Sequence, residues 1–156
     1  LFDIEKKDLT MTTPASAPTP APLLQLPPGL APDMELVMRV MPQPKDTNGN
    51  GDIFGGWIMA QVDLAACVLP IRLSRGKVVT VAVNEFVFKN SVSVGDLLSF
   101  YARIERVGRT SITVFVEVWA ERNPDDLQVV KVTEATVTYV AIDPQGRPRV
   151  VQPRAS

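Results

Sequence analysis

Between Asp52 and Arg72 the chain has one charged side chain, Asp63, within the apolar run from Ile53 to Leu69. An ionised carboxylate is costly to bury without a partner, so an acid placed there is either paired with a cation, capping a neighbour, or put to chemical use. A partly desolvated carboxylate acts as a general base or attacks directly as a nucleophile. Just upstream lies a polar loop, Asp46-Thr47-Asn48-Gly49-Asn50-Gly51-Asp52, followed by Gly55 and Gly56. Glycines at these positions allow tight turns and close approach by a ligand. A helix starting there would offer the unpaired N–H groups of Gly55 and Gly56 to a developing oxyanion. The same glycines also serve a plain turn that lets a strand pack on the helix. Asn48 has two roles open to it as well: orienting water or a substrate carbonyl, or making ordinary loop hydrogen bonds.

Elimination narrows the chemistry. The chain has no histidine, which excludes a Ser-His-Asp triad, a Cys-His pair and histidine-ligated zinc. Proton transfer then falls to carboxylates, or to Lys or Tyr. Cys67 is the single cysteine, so no intrachain disulfide exists, and a reducing cytoplasm is the expected compartment. It lies one turn after Asp63 on the same helix face and reads as a packing residue, because no histidine is available to activate it. Trp57 and Met59 read as core, or alternatively as walls of an acyl pocket.

A phosphate-bearing ligand would need clustered cations. Lys77, Lys89, Arg106, Arg109, Arg147 and Arg149 fall at strand ends or turns, where most charges are simply solvated. Arg109-Thr110-Ser111 is the most attractive of these, since it joins a guanidinium to hydroxyl donors; with Lys89 and Gly56 it completes the expected substrate-binding set. Sixteen basic against seventeen acidic residues leave a net charge of -1, which offers no general attraction to nucleic acid or an anionic membrane. No uninterrupted apolar run approaches the roughly 20 residues that span a bilayer.

These residues need elements to position them. The 156 residues suit one domain. Residues 1–32 are set apart: a short leader before Met11, a candidate natural start, then a Pro/Ala-rich extended tail that cannot supply a core. The folded domain is expected over residues 33–151. A strand from Met34 to Met41 precedes the loop, and a helix from Phe54 to about Leu73 follows it, apolar nearly all round and therefore central. Pro70 should kink that helix or end it early. Strands are expected from Lys77 to Phe88, Leu97 to Val107, and then through Ile112, Val114, Val116 and Val118, which alternate with outward residues. A last strand runs from Leu127 to Ile142. One helix with a run of four consecutive strands is an α+β pattern, the helix lying across an antiparallel sheet.

Helix geometry then limits the site. Asp63 follows Gly56 by seven residues, about 10 Å along one helix. A carbonyl held at Gly55 and Gly56 is therefore out of reach of the same chain's Asp63. Two such helices side by side and antiparallel would give each Asp63 the other chain's helix N-terminus, so the expected protein is an obligate dimer with shared sites.

The stretch Asp46 to Met59, with Gln61 and Asp63, closely resembles the YciA-type bacterial acyl-CoA thioesterases of the hotdog-fold superfamily. Val78-Val79-Thr80-Val81, Val94-Gly95-Asp96, Glu117-Val118-Trp119, Thr133-Glu134-Ala135 and Val140-Ala141 extend the resemblance over roughly residues 34–150. It implies a sheet wrapped round one long helix, protomers joined through their sheets with helices antiparallel, and dimers often assembled into trimers. It implies Asp63 as the catalytic acid, Asn48 as the polar loop residue from the other protomer, and Gly55 as the N–H that polarises the thioester. The implied reaction converts acyl-CoA and water to a free acid and CoA, with no metal and no cofactor. Cys67 and Pro70 depart from the family pattern in the second half of the helix, where they would reshape the acyl pocket.

Two rival readings fit the chain less well. A hotdog dehydratase or hydratase typically relies on a histidine, absent here. A non-catalytic acyl-CoA-binding module, such as a regulator or lipid carrier, would leave Asp63 without a task, and a regulator would need a DNA-binding segment that the tail cannot form.

Overall fold

The computed structural model describes residues 26–151; the leader and most of the Pro/Ala-rich tail (1–25) lie outside the described residues, as do residues 152–156. The elements are β1 (Glu35–Val40), α1 (Gly55–Ala66), α2 (Val68–Ser74), β2 (Val78–Phe88), β3 (Leu97–Val107), β4 (Ser111–Arg122) and β5 (Gln128–Ala141), with a 3-10 turn at Pro44–Asp46. The five strands form one antiparallel sheet in the order β1-β3-β4-β5-β2. This is the α+β arrangement expected of the sequence.

Alternation makes the sheet two-faced. Ile112, Val114, Val116 and Val118 of β4 are buried, and they share a core with Phe100 of β3 and Val137 and Tyr139 of β5. Ile58, Val62, Ala65 and Ala66 of α1 and Leu69 of α2 close that core from the helix side. Each such aliphatic side chain contributes about 1.5–3 kcal/mol by leaving water. Gly95, at φ 96°, makes the turn into β3 that only glycine adopts without strain.

The helix is interrupted earlier than its proline. α1 ends at Ala66 and α2 begins at Val68, with Cys67 shared between them at φ -68°, ψ -16°. Pro70 has no N–H for the Ala66 carbonyl and crowds it, so the irregularity falls a turn upstream. Helical structure then resumes through Pro70 to Ser74 and stops at Arg75, which is left-handed at φ 50°. The expected early end is therefore a short irregularity, and the helix runs its full length.

Gly55–Ser74 has the length and composition of a bilayer-spanning helix, with a mean hydropathy of 1.3, although Asp63 and Arg72 interrupt its apolar run. The sheet covers one face of it. The other face keeps Met59 and Leu64 exposed, so Met59 is a surface residue and not part of the core; Trp57 is half-buried against the core, as expected. Beside them runs β2, an edge strand paired only with β5, whose Val79, Val81, Val83 and Phe88 are also exposed. A long apolar edge with free backbone groups is a surface that folded proteins cover.

Candidate active site

Asp63 is half-buried on α1, facing the β2 end of the sheet. Its Oδ1 accepts two hydrogen bonds, from the Thr80 hydroxyl at 2.7 Å and the Tyr139 hydroxyl at 2.9 Å. Thr80 and Tyr139 are direct partners across the β2–β5 ladder, so the sheet register itself fixes where both donors meet the helix. Oδ2 takes no hydrogen bond among the described residues. No cation pairs with Asp63 among them either, which leaves the carboxylate free for chemistry.

Two neighbours respond to that charge. Burial and then the Asp63 carboxylate push the Tyr139 phenol far above its ordinary range, so it stays a donor at any working pH. Burial and then Asp63 also push the Cys67 thiol up, and its sulfur donates to the Leu64 carbonyl at 3.1 Å. A thiol held protonated is a poor nucleophile, in line with its packing role.

The loop builds the second half. Asn48 Oδ1 accepts the N–H groups of Asn50 (2.8 Å) and Asp52 (3.2 Å), and its own N–H donates to the Asp52 carbonyl at 2.7 Å. The Asn48 amide therefore holds the loop through its oxygen, and its Nδ2 has no partner among the described residues. Both roles open to Asn48 are compatible, one for each end of the amide. α1 starts without a capping side chain; its first bond joins the Ile58 N–H to the Phe54 carbonyl, and no acidic residue occupies its first turn. The N–H groups of Gly55, Gly56 and Trp57 have no acceptor among the described residues and are donors at the positive end of the helix. Gly55 and Gly56 differ sterically: a Cβ at Gly55 would lie 3.2 Å from the Phe88 ring, whereas Gly56 faces open space.

Asn48, Gly55 and Phe88 line an open cleft of about 350 Å³ with Lys89, Asn90 and Ser91. Asp63 is absent from its lining. Gly55 and Asp63 stand eight residues apart on one unbroken helix, about 12 Å. A single chain therefore keeps Asp63 away from the cleft at Asn48 and Gly55.

The basic residues divide in the same way. Lys89 stands at the cleft, where its ammonium is 2.9 Å from Glu134, itself bridged by Lys131. Lys89 and then Lys131 hold the Glu134 carboxyl below its usual range. Arg109, Thr110 and Ser111 occupy the turn into β4, at the Asp63 end of the sheet: the Thr110 carbonyl accepts the Ala141 N–H, two residues beyond Tyr139. A single chain does not bring Arg109 and Lys89 together. Arg147 is engaged by Asp143, and Arg149 by the carbonyls of Ile142 and Ser74.

Thr80 and Tyr139 are the site residues that sequence reasoning missed. Thr80 is a hydroxyl among β-branched apolar residues, and Tyr139 is one of only two tyrosines. The sequence shows both as strand residues, but only the register shows that they are opposite each other and under Asp63.

With this geometry in place, comparison with known proteins is specific. Residues 50–126 match the thioesterase superfamily. The chain is 46% identical over 120 residues to the acyl-CoA thioester hydrolase YciA of Salmonella typhimurium, covering 76% of this chain and 90% of that one. A hexameric thioesterase from Yersinia pestis superposes with a TM-score of 0.73 at 43% identity, covering 78% of this chain and 98% of the other. A hexameric hotdog fold thioesterase of Campylobacter jejuni gives 0.73 at 40% identity, with coverages of 76% and 90%.

Proposed function

We propose, for a chain that belongs to the acyl-CoA thioester hydrolases of the hotdog-fold thioesterase superfamily, that hydrolysis runs at a site shared between two protomers. The protein is an enzyme whose substrate is an acyl-CoA, cleaved with water to a free acid and CoA. Its hexameric relatives support a trimer of dimers. We assign the activity to residues 33–151 and the enzyme to the cytoplasm, the compartment in which a lone cysteine is at ease.

The observation that carries the shared site is the placement of its halves at opposite ends of β2. Thr80, beneath Asp63, and Phe88, over Gly55, are eight residues apart on that strand, but two bulges between them leave their partners Tyr139 and Thr133 only six apart on β5, about 20 Å. Antiparallel apposition of two β2 edges sets the Thr80 end of one chain beside the Phe88 end of the other. It also covers the exposed Val81, Val83, Met59 and Leu64, and brings Arg109 of one protomer to the same end as Lys89 of its partner.

In such a site the thioester carbonyl rests on the Gly55 N–H, with Gly56 beside it and the Asn48 amide as a further donor. Asp63 from the other protomer meets the carbonyl carbon from its unpartnered oxygen. It draws a proton from water, the hydroxide adds, and the oxyanion is held by the helix N-terminus. The C–S bond then breaks, and the CoA sulfur leaves with the proton. If Asp63 itself attacks, the product is a mixed anhydride that water opens. In single-turnover hydrolysis in oxygen-labelled water, label in Asp63 establishes the anhydride route, opened by water at the Asp63 carbonyl, and rules out a purely general-base role. Neither route calls for a metal or a further cofactor. Arg109, Thr110, Ser111 and Lys89 are assigned to the CoA moiety.

Thiol release from acyl-CoAs of graded chain length, with Asp63→Ala as the control, tests the assignment. Release by the wild type and its loss in the variant are expected. If no chain length releases CoA, the protein is an acyl-CoA-binding module.

A further inference from the structure

Tyr139 is the largest of the fully buried side chains, 1% exposed, and its hydroxyl faces two oxygens of one residue: the Asp63 carbonyl at 2.8 Å and Asp63 Oδ1 at 2.9 Å. A buried phenol needs one acceptor, and the carbonyl alone would satisfy it. That carbonyl already receives the Cys67 N–H at 3.2 Å, at the point where the helix is interrupted. The approach to Oδ1 is therefore surplus to folding. It has a consequence for the carboxylate: with Thr80 on the same oxygen, two donors hold Oδ1, while Oδ2 has no partner among the described residues.

We infer that Tyr139 is a positioning residue for catalysis, locking the Asp63 carboxylate so that Oδ2 is the oxygen that meets water or thioester. The inference rests on Asp63 being the catalytic acid. The groups facing Asp63 are Tyr139 from β5, Thr80 from β2 and Cys67 from its own helix. Of these, only Tyr139 and Cys67 titrate, and burial keeps both neutral across the working range.

The test measures kcat and KM against pH on the assembled enzyme with butyryl-CoA or the best acyl-CoA found, for wild type, Tyr139→Phe, Asp63→Ala and protein with 3-fluorotyrosine in place of Tyr139. Tyr139→Phe keeps the ring and its packing. It is expected to lower kcat about tenfold or more with KM within about twofold. Fluorotyrosine, a stronger donor of the same shape, is expected to change kcat with KM unmoved. If Tyr139→Phe fails to fold, the fluorotyrosine kcat decides alone: a kcat changed by about twofold or more with KM unmoved supports the role, and the wild-type kcat overturns it. Tyr139→Phe with the wild-type kcat, beside an inactive Asp63→Ala, overturns this inference alone. A fully active Asp63→Ala overturns the assignment of Asp63 and this inference with it.

Discussion

Thr80 and Tyr139 face each other across the β2–β5 ladder, and both hydroxyls converge on Oδ1 of Asp63. A pair of strand residues thus orients a helix residue 17 positions before one of them and 76 before the other. Antiparallel register does this with little freedom, because a slip of β2 by one residue would turn the Thr80 hydroxyl to the opposite face of the sheet from Tyr139.

Thr80→Val keeps the β-branched shape and removes one donor. A hydrogen bond to a charged group contributes about 1.5–3 kcal/mol, so kcat should fall about tenfold or more while the fold stays intact. Steady-state kinetics beside circular dichroism would check this. An unchanged kcat would mean that Tyr139 alone orients the carboxylate.

Gly55 and Gly56 should separate on substitution. Gly55→Ala places a methyl 3.2 Å from the Phe88 ring and must displace either the ring or the helix start. Alanine keeps the N–H, so the donor is displaced and not lost; a fall in kcat of about tenfold is expected, below the 10²–10³ that removing an oxyanion donor typically costs. Gly56→Ala meets open space and should leave the thermal midpoint unchanged or raised, since alanine favours a helix over glycine. Gly55→Ala combined with Phe88→Ala, which frees the space, should recover part of the loss.

The edge strand offers a test of assembly. Val81 is 55% exposed in the single chain. Val81→Arg places a charge on the edge proposed to join two protomers, where pairing would have to desolvate it. Sedimentation should show dissociation to monomers, with activity lost in parallel. A dimer that persists would place the interface on another surface.

Cys67 gives a pH readout. Burial and the Asp63 charge raise its thiol above the ordinary value, so the reactive thiolate forms only at more alkaline pH than in a free cysteine. Iodoacetamide should therefore label it more slowly than a model peptide at pH 8, and Asp63→Asn should speed the labelling. Cys67→Ser is expected to keep kcat within about threefold. A large loss would bring the thiol back as a participant.

The sequence made one part of this site readable and hid another. Asp63 stood out because a carboxylate in an apolar helix violates the burial pattern around it, and the glycine-rich loop stood out by composition. Helix rise alone separates Gly55 from Asp63, which is why the sequence by itself points to a shared site. The strands were legible from alternation, and β3 spans Leu97–Val107 as expected. Thr80 and Tyr139 were hidden because each fits its strand without anomaly; their role arises from a pairing between residues 59 positions apart. The surface position of Met59 was hidden for a related reason: an apolar helix reads the same whether its second face meets its own core or another chain.

The most direct test is complementation between two inactive chains. Asp63→Ala and Asn48→Ala, co-expressed in equal amounts, form mixed dimers in which one site carries both substitutions and the other carries neither. With random pairing, about half the dimers are mixed and half of their sites are intact, so about a quarter of the wild-type rate should return. Thiol release by the purified mixture measures it. Recovery near that level establishes a site built from Asp63 of one protomer and Asn48 of another; activity no higher than that of the two parents contradicts it.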